Sequence, residues 1–507
     1  MDSVIKELPS PWWLAIPVTV GYFIYLIVTQ ISTSLQTREF IHENGCRPAA
    51  SEDAARDPIM GLDRMAHVFK EAREGHLQEY LRSKFENLGP TYISRTLMDR
   101  ATFTIDSENV KAILATNFND YSVQTRATAF GRLMGVAIFS SDGDAWVHSR
   151  AMLRPSFTRD QVANLDLTDK HILDLLGAVV PGANVDLKPL LFDFTLDSAT
   201  EFFLGHSTNA LDKNHENETS SFGRAFDVAV EAISREVRLV PFSRFMPHSK
   251  EVKESYRICR SHARKFVEDA ISKGSLGVAE ENKGRRNFIL ELASTGMNTE
   301  KVTNEVIALL TAGRDTTSAL LSNFFFLVAR RPDVWSNLRA GATRFGEETP
   351  SYEQLRDLKY TRWCVNEALR LYPPIAINSR TAVRDTVLPR GGGRLGDRPL
   401  HVPKGSRVMW HSYSLHRRKE VYGDDAHEFR PERWETLRPS WDYIPFHGGP
   451  RICLGQQYAL TETFLVIVRF AQAFARLESR DSRPFAGSMS LSLASANGVH
   501  VTFHKDA

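Results

Sequence analysis

Cysteine is scarce in this chain of 507 residues: Cys46, Cys259, Cys364 and Cys453 stand far apart, with no paired spacing. Their scatter excludes a disulfide framework and fits a reducing compartment, in which each thiol is either inert packing or chemistry. An excess of one charge is missing too. Lys and Arg number 63 against 61 Asp and Glu, a formal charge of +2, so the basic surplus that a phosphate backbone demands is absent and no nucleic-acid partner is expected. Repeats, low-complexity tracts and domain linkers are lacking as well; the polar breaks at residues 49–57, 206–221 and 274–287 read as surface loops. With 42% hydrophobic and 24% charged residues, the chain is not disordered and buries a large core, as about three domains of ~150 residues or one unusually large one.

Charge is locally absent from Leu8 to Thr37. Residues 12–31, WWLAIPVTVGYFIYLIVTQI, are long and apolar enough to cross ~30 Å of hydrocarbon as ~20 helical residues. A membrane anchor over residues 1–37, with its span at 12–31, is therefore expected ahead of a cytosolic domain over 38–507. Trp12 and Trp13 suit the interface, while Pro17 and Gly21 weaken the helix. A cleaved signal peptide fits less well, because the apolar run is long, Lys6 stands beside Asp2 and Glu7, and no small-residue cleavage site follows. A buried hydrophobic helix is the plainer alternative. Arg38 and Arg47 follow the span and place the bulk of the chain in the cytosol, where the sequon Asn217-Glu218-Thr219 would not meet the glycosylation machinery.

The remainder reads as mainly α with a minor β portion. Residues 302–330 and 352–371 show helical-length apolar periodicity, and short β-favouring runs fall near 91–104, 375–387 and 498–503. Gly391, Gly393 and Gly396 satisfy G-x-G-x-x-G, but Pro389, Pro399 and Pro403 flank them and no helix starts at the third glycine. A hairpin loop is expected there, not a dinucleotide site.

Residues 446–455 read FHGGPRICLG, and QQYALTETFLVIVRF follows with the period of a long amphipathic helix. Cys453 falls just before that helix, whose dipole and free backbone N–H groups favour a thiolate and lower its pKa. Gly448, Gly449, Pro450 and Gly455 let the chain turn tightly and approach something flat. Phe446, Gly449, Arg451, Cys453 and Gly455 fit F-x-x-G-x-R-x-C-x-G, a chance match on the order of 10⁻⁴ for such a chain. On these residues the sequence resembles the cytochrome P450 superfamily, over essentially its whole length. The resemblance implies a P450-like fold behind the transmembrane helix, with Cys453 as the axial thiolate of a haem iron, a ligand whose electron donation favours O–O cleavage.

Glu367 and Arg370 in NEALR lie at i and i+3 on a predicted helix, which alone is a surface ion pair. The family joins such a pair to an arginine of a later segment, here Arg433 of FRPERW, as a buried structural triad; Trp434 departs from the family's usual Phe. Residues 312–317 read AGRDTT. Gly313 weakens a helix by about 1 kcal/mol relative to Ala, and Thr316 can bond back to the i−4 carbonyl and bend it. The resemblance makes Thr316 a partner of the distal dioxygen network and Asp315 a proton relay. Ala312 stands where mammalian-type fatty-acid hydroxylases often carry Glu, which argues against a covalent ester to the haem. Trp146 and Arg150, one helical turn apart, are implied haem-propionate partners, as are Arg380 and Arg451, because two carboxylates must be held partly away from water. His148 and His447 match no ligand position and read as locally satisfied histidines.

Residues 43–49, 115–122, 135–157, 312–326 and 448–462 resemble the fungal n-alkane and fatty-acid hydroxylase branch. They imply insertion of one oxygen atom from O2 into a C–H bond near the end of a long alkyl chain, with two electrons from NADPH. The implied pocket is lined by the 117–138 region, Leu309, Leu310, Pro373 to Ile377 and Ala494 to Asn497. Apolar walls equally fit a polyketide, terpene or lipopeptide, so a tailoring monooxygenase of fungal secondary metabolism is the alternative. An O2-independent haem-thiolate isomerase or dehydratase is disfavoured by Asp315 and Thr316, and a non-catalytic haem sensor would need neither that pair nor a large lipophilic cavity. Anchor and haem fold leave no room for a flavin reductase. Electrons are expected from a separate NADPH-cytochrome P450 reductase at the endoplasmic-reticulum membrane, with cytochrome b5 as a further candidate partner.

Overall fold

The computed structural model describes residues 12–54, 57, 61–96, 99–212, 218–238, 247–275, 298–488 and 490–506. Residues 276–287 of one expected loop, and Asn217 of the sequon, lie outside them. The elements that frame the site, in chain order, are α1 (Trp12–Glu43), β1 (Glu52–Asp53), β2 (Thr91–Thr96), β3 (Asp99–Thr104), β4 (Tyr121–Ser122), α2 (Gln124–Met134), α3 (Gly143–Leu153), α4 (Asp166–Gly177), β5 (Asn184–Asp186), α5 (Leu187–Leu204), α6 (Glu218–Arg238), α7 (Lys250–Ser275), α8 (Thr299–Val328), α9 (Lys359–Leu371), β6 (Ile377–Ala382), β7 (Thr386–Gly392), β8 (Arg398–Val402), β9 (Arg407–His411), α10 (Gln456–Ala473), β10 (Arg476–Ser479) and β11 (His500–His504).

Helix dominates, and the strands gather into small sheets ordered β1-β2-β3-β9-β6-β4, β10-β11-β5 and β7-β8. Residues 391–396 are the hairpin turn that the flanking prolines suggested: Gly391 N donates to Gly396 O at 2.7 Å between antiparallel β7 and β8. The stretch 352–371 forms two helices instead of one. Ser351 and Gln354 close a capping box at the start of a short helix, Tyr352–Asp357, and Leu358, with ψ 80°, breaks it before α9 begins.

Helix α8 is the axis of the fold. Asn298 caps it by accepting from Glu300 N, and the apolar residues behind that cap are buried along its length. Val302, Val306, Ile307, Leu309 and Leu310 belong to one hydrophobic cluster with α2, α3, α5, α6 and α7. Leu320, Leu321, Phe324, Phe325 and Val328 belong to another, with α4, α5, α9 and α10. The polar AGRDTT stretch falls between the two.

Helix α1 forms where the membrane span was expected. Val20, Tyr22, Phe23, Ile24, Tyr25, Leu26, Ile27, Val28, Ile31 and Leu35 are exposed on it, and Thr33 Oγ1 returns to Thr29 O at 2.8 Å, so that hydroxyl is satisfied inside the helix. The side chains of residues 12–18 and of 21 lie outside the described set. Among the described residues, no helix is long and apolar enough to cross a membrane. The helix runs unbroken through the expected span at 12–31 and on through polar residues to Glu43.

Candidate active site

The loop before Cys453 turns on residues in the left-handed region, His447 at φ +64° and Gly449 at φ +65°. A Cβ on Gly449 would lie 1.9 Å from the carbonyl oxygen of Leu114. Backbone is laid on backbone there, and only glycine fits. Cys453 N donates to Phe446 O at 3.0 Å and closes the loop three residues ahead of α10. Phe446 packs against the cluster shared by α8, α9 and α10, and Gly455 lies where a Cβ would press on Phe157 at 3.3 Å.

Cys453 is reachable by solvent, whereas Cys46, Cys259 and Cys364 are buried. Enough protein nevertheless surrounds its sulfur that desolvation raises the thiol pKa, against the lowering effects of the Gly455 backbone N–H and of Arg150. The helix terminus alone was expected to lower it, and desolvation outweighs that terminus. A thiol so placed ionises when a metal ion binds it, since coordination deprotonates the sulfur.

Around this loop the guanidiniums of Arg126, Arg380 and Arg451 lie near one another and near the carboxylate of Asp142. Arg451 Nη2 donates to Asp142 Oδ1 and to Ser141 O, both at 2.8 Å, and its guanidinium lies 4.4 Å from the Trp146 ring. Arg150, 5.9 Å over the same ring, donates to Ile452 O at 3.0 Å and so ties α3 to the cysteine loop. Arg380 donates to Ser379 O at 2.8 Å. Arg126 donates to Asn378 Oδ1 at 3.3 Å, and its Nε has no partner. Burial lowers Arg126 and Arg451 to about 10, and Arg380 is lowered well below its ordinary value by burial and by those two neighbours. His447, bonded to Asn378 at 2.6 Å, is held neutral by burial, with its pKa down to about 3; His148 is exposed. Buried cations that outnumber their carboxylate, one with an orphaned N–H, suit a ligand that brings further carboxylates. The two propionates of a haem are such a ligand, and Cys453 is the matching soft donor for its iron.

Between Val302 and Leu327 every residue of α8 is buried except Ala312, Gly313 and Thr316. These three share one face of the helix, and there alone the rod is opened. Thr316 Oγ1 donates to Ala312 O at 2.7 Å, the back-bond expected of it. The opening is narrow at Gly313, where a Cβ would stand 3.3 Å from both Ala199 and Phe203 of α5. Asp315 is sealed, and burial raises its carboxyl to about 6 against the pull of Arg314. Ser492 Oγ donates to Asp315 O at 3.0 Å, and Leu493 N donates to Pro374 O at 2.8 Å. Pro374 and residues 492–493 therefore meet beside α8. A cavity of about 80 Å³ beside the Asp53–Arg64 ion pair is lined by none of these side chains.

Glu367, Arg370 and Arg433 form a buried triad, not a surface pair. Arg370 donates to Glu367 through Nε at 2.9 Å and Nη2 at 2.8 Å, and Arg433 Nε donates to it at 2.9 Å. Arg370 also donates to the carbonyls of His416 and Ala426, at 3.0 and 2.6 Å, which pins the chain between β9 and the cysteine loop. Arg126 and Asp142 are the site residues that no motif announced. Arg126 sits in a plain helical stretch, and its only sequence signal is a cation with no acidic neighbour from Gln124 to Met134.

The cytochrome P450 family model matches residues 60–499. The chain is 42% identical to the cytochrome P450 monooxygenase FPY7 of Fusarium mangiferae, covering 99% of this chain and 98% of the relative. It is 44% identical to the cytochrome P450 monooxygenase himC of Aspergillus japonicus, over 99% and 94% of the two chains. To cytochrome P450 52A3-A of Candida maltosa it is 36% identical, over 95% and 94%.

Proposed function

The chain belongs to the cytochrome P450 family, and from that membership we propose that it hydroxylates a long alkyl chain at or near its terminal carbon. It is a monooxygenase with a haem-thiolate cofactor, and a redox partner supplies its electrons. The bound haem contributes activation of O2 and the oxidising power for C–H attack. Cys453 holds the iron. Arg126, Arg380, Arg451 and Arg150, with Trp146, hold the propionates, and Glu367, Arg370 and Arg433 brace the cysteine loop from behind. Thr316 keeps its hydroxyl lone pairs toward the opening in α8 while its proton goes to Ala312 O, and Asp315 supplies and recovers protons next to it. The observation that carries this reading is the opening of an otherwise buried α8 at Ala312, Gly313 and Thr316.

Leu309 and Leu310, buried just ahead of that opening, and the local matches to the n-alkane and fatty-acid hydroxylase branch support an alkyl substrate. A second reading is favoured by the higher identity to the Fusarium and Aspergillus monooxygenases than to the Candida protein. It is a tailoring step on a fungal polyketide, terpene or lipopeptide. Residues 1–37 anchor the chain in the endoplasmic-reticulum membrane and residues 38–507 form the cytosolic domain, a reading supported by the exposed apolar side chains from Val20 to Leu35. NADPH-cytochrome P450 reductase is the electron donor, with cytochrome b5 as a second one.

The test is mass-spectrometric product analysis of membranes holding the protein, a fungal reductase and NADPH, fed a chain-length series of alkanes and fatty acids. Terminal or near-terminal alcohols are expected. Intact haem-thiolate absorbance without any such product would overturn the alkyl reading in favour of the second one. Retention of the protein in the membrane pellet after alkaline carbonate extraction is expected of the anchor, and its release would rule the anchor out.

A further inference from the structure

Arg314 lies sealed in the middle of α8, with its guanidinium 5.3 Å from the ring of Phe192 on α5 and 5.4 Å from that of Phe226 on α6. It meets two carboxylates. Nη2 donates to Asp227 Oδ1 on α6 at 2.6 Å, and Nη1 reaches Asp315 Oδ1 at 3.3 Å. Its Nε has no partner. Adjacent residues on a helix do not face each other, so Arg314 and Asp315 meet only edgewise, and the short bond goes to the other helix. The Asp227 side chain is 61% exposed and that of Asp315 5%. One buried cation thus links a carboxylate in solvent to a carboxylate sealed beside Thr316.

The titratable groups that face this pair from the packed helices are Asp193 on α5, Asp227 on α6 and Cys259 on α7. Burial pushes the Cys259 thiol up to about 12, so it is uncharged at neutral pH. Asp193 and Asp227 both favour the charged Arg314, and Asp227 acts on Asp315 in the opposite sense to the guanidinium.

The geometry points to Asp227 as a positioning residue for the monooxygenase reaction: by taking the short bond from Arg314 it keeps that cation from closing on Asp315, which stays free to hold and release a proton. This rests on the relay reading of Asp315 given above. Without the Asp227 charge the guanidinium acts on Asp315 with only Asp193 left to share it. An opposite charge at such range lowers a carboxyl by about 1–3 pH units, which moves the pH at which Asp315 takes up and gives its proton further below neutral. Because Asp227 sits on α6, the placement of that helix sets how much of the cation Asp315 feels.

Asp227→Asn removes the charge and keeps the shape, and Asp227→Glu restores the charge. Two readouts are taken on haem-replete full-length enzyme. One is product formed per NADPH as a function of pH, with peroxide release recorded beside it. The other is the infrared carboxylic-acid band of the resting enzyme that vanishes in Asp315→Asn, followed by pH titration. Asp227→Asn is expected to move both profiles to lower pH by about 1 unit or more, and Asp227→Glu to leave both near the parent. Asp227 is mostly exposed, so these variants are expected to fold; Asp227→Ser gives the same readings should the Asn variant not accumulate. Unmoved profiles in Asp227→Asn, with Asp315→Asn uncoupled, overturn the role of Asp227 alone. Full coupling in Asp315→Asn overturns the relay reading and the role of Asp227 with it.

Discussion

The indole N–H of Trp434 donates to Oε2 of Glu367 at 2.9 Å. The same carboxylate accepts from Arg370 Nε and Nη2, Arg433 Nε and the backbone N–H of Arg430. Burial alone would raise Glu367; these donors hold it below its ordinary value. A phenylalanine at position 434 would fill much of the same space and donate nothing. Trp434→Phe is therefore expected to cost about 1.5–3 kcal/mol, the range for a hydrogen bond to a charged group. The variant should melt several degrees lower while its folded fraction turns over normally, and an unchanged melting temperature would remove this bond from the stability of the triad.

Arg126, whose Nε has no partner, is proposed above to hold a propionate. Replacing it by Met keeps the length of the side chain and deletes the charge. Haem should leave the Arg126→Met protein about tenfold faster or more, as expected for losing one charge-assisted contact of about 1.5–3 kcal/mol. Transfer of haem to excess apomyoglobin measures the rate directly. An unaltered rate would mean that Arg380 and Arg451 hold the propionates without it.

Thr316→Ala deletes the hydroxyl at the opening of α8 and leaves the helix intact, because the lost bond is only a return to Ala312 O. Product per NADPH should fall and peroxide release should rise, since protons then reach the distal side out of step with electrons. Unchanged coupling would strip Thr316 of its relay role.

Glu462 on α10 is wholly buried, accepts from Ser198 Oγ and from Tyr458 OH at 3.2 Å, and is raised to about 7 by desolvation. A carboxyl raised on folding binds its proton more tightly in the native state. Its contribution is thus complete below the unfolded value and is lost as pH rises through about 7. Stability should fall by about 3 kcal/mol at most between pH 4.5 and 7.5 on this account. Glu462→Gln should flatten that slope, as read by melting temperature across the range, and a parallel slope in the variant would place the titration elsewhere.

Features confined to one stretch of chain were legible in the sequence. The FHGGPRICLG loop, the AGRDTT turn and the E-x-x-R pair each declare themselves within a few residues, and their helices form where the apolar period lies. What was hidden depends on convergence. Arg126 comes from α2, Asn378 from β6 and Asp142 from the residue before α3, and nothing local tells that they surround one loop. The break at Leu358 was not readable either, because the capping box of Ser351 and Gln354 marks only where the periodic segment begins. Trp434 was read only as a departure from the family's usual Phe, since its donor gains meaning only once Glu367 stands opposite. The sign at Cys453 was misjudged for a related reason: the helix terminus is visible in sequence, and the desolvation that outweighs it is not.

Helix α8 contributes its N-terminal half to one body of apolar side chains and its C-terminal half to another, with the opened turn at Ala312, Gly313 and Thr316 between them. The molecule thus has a seam, and its chemistry lies in the seam. Helix α5 crosses the same seam, with Leu187 to Phe194 in one body and Leu196 to Leu204 in the other, so the two bodies are tied to each other by a pair of continuous helices. Substitutions inside the body that holds α6 and α7 can reshape what enters while the body that braces the cysteine loop keeps its packing.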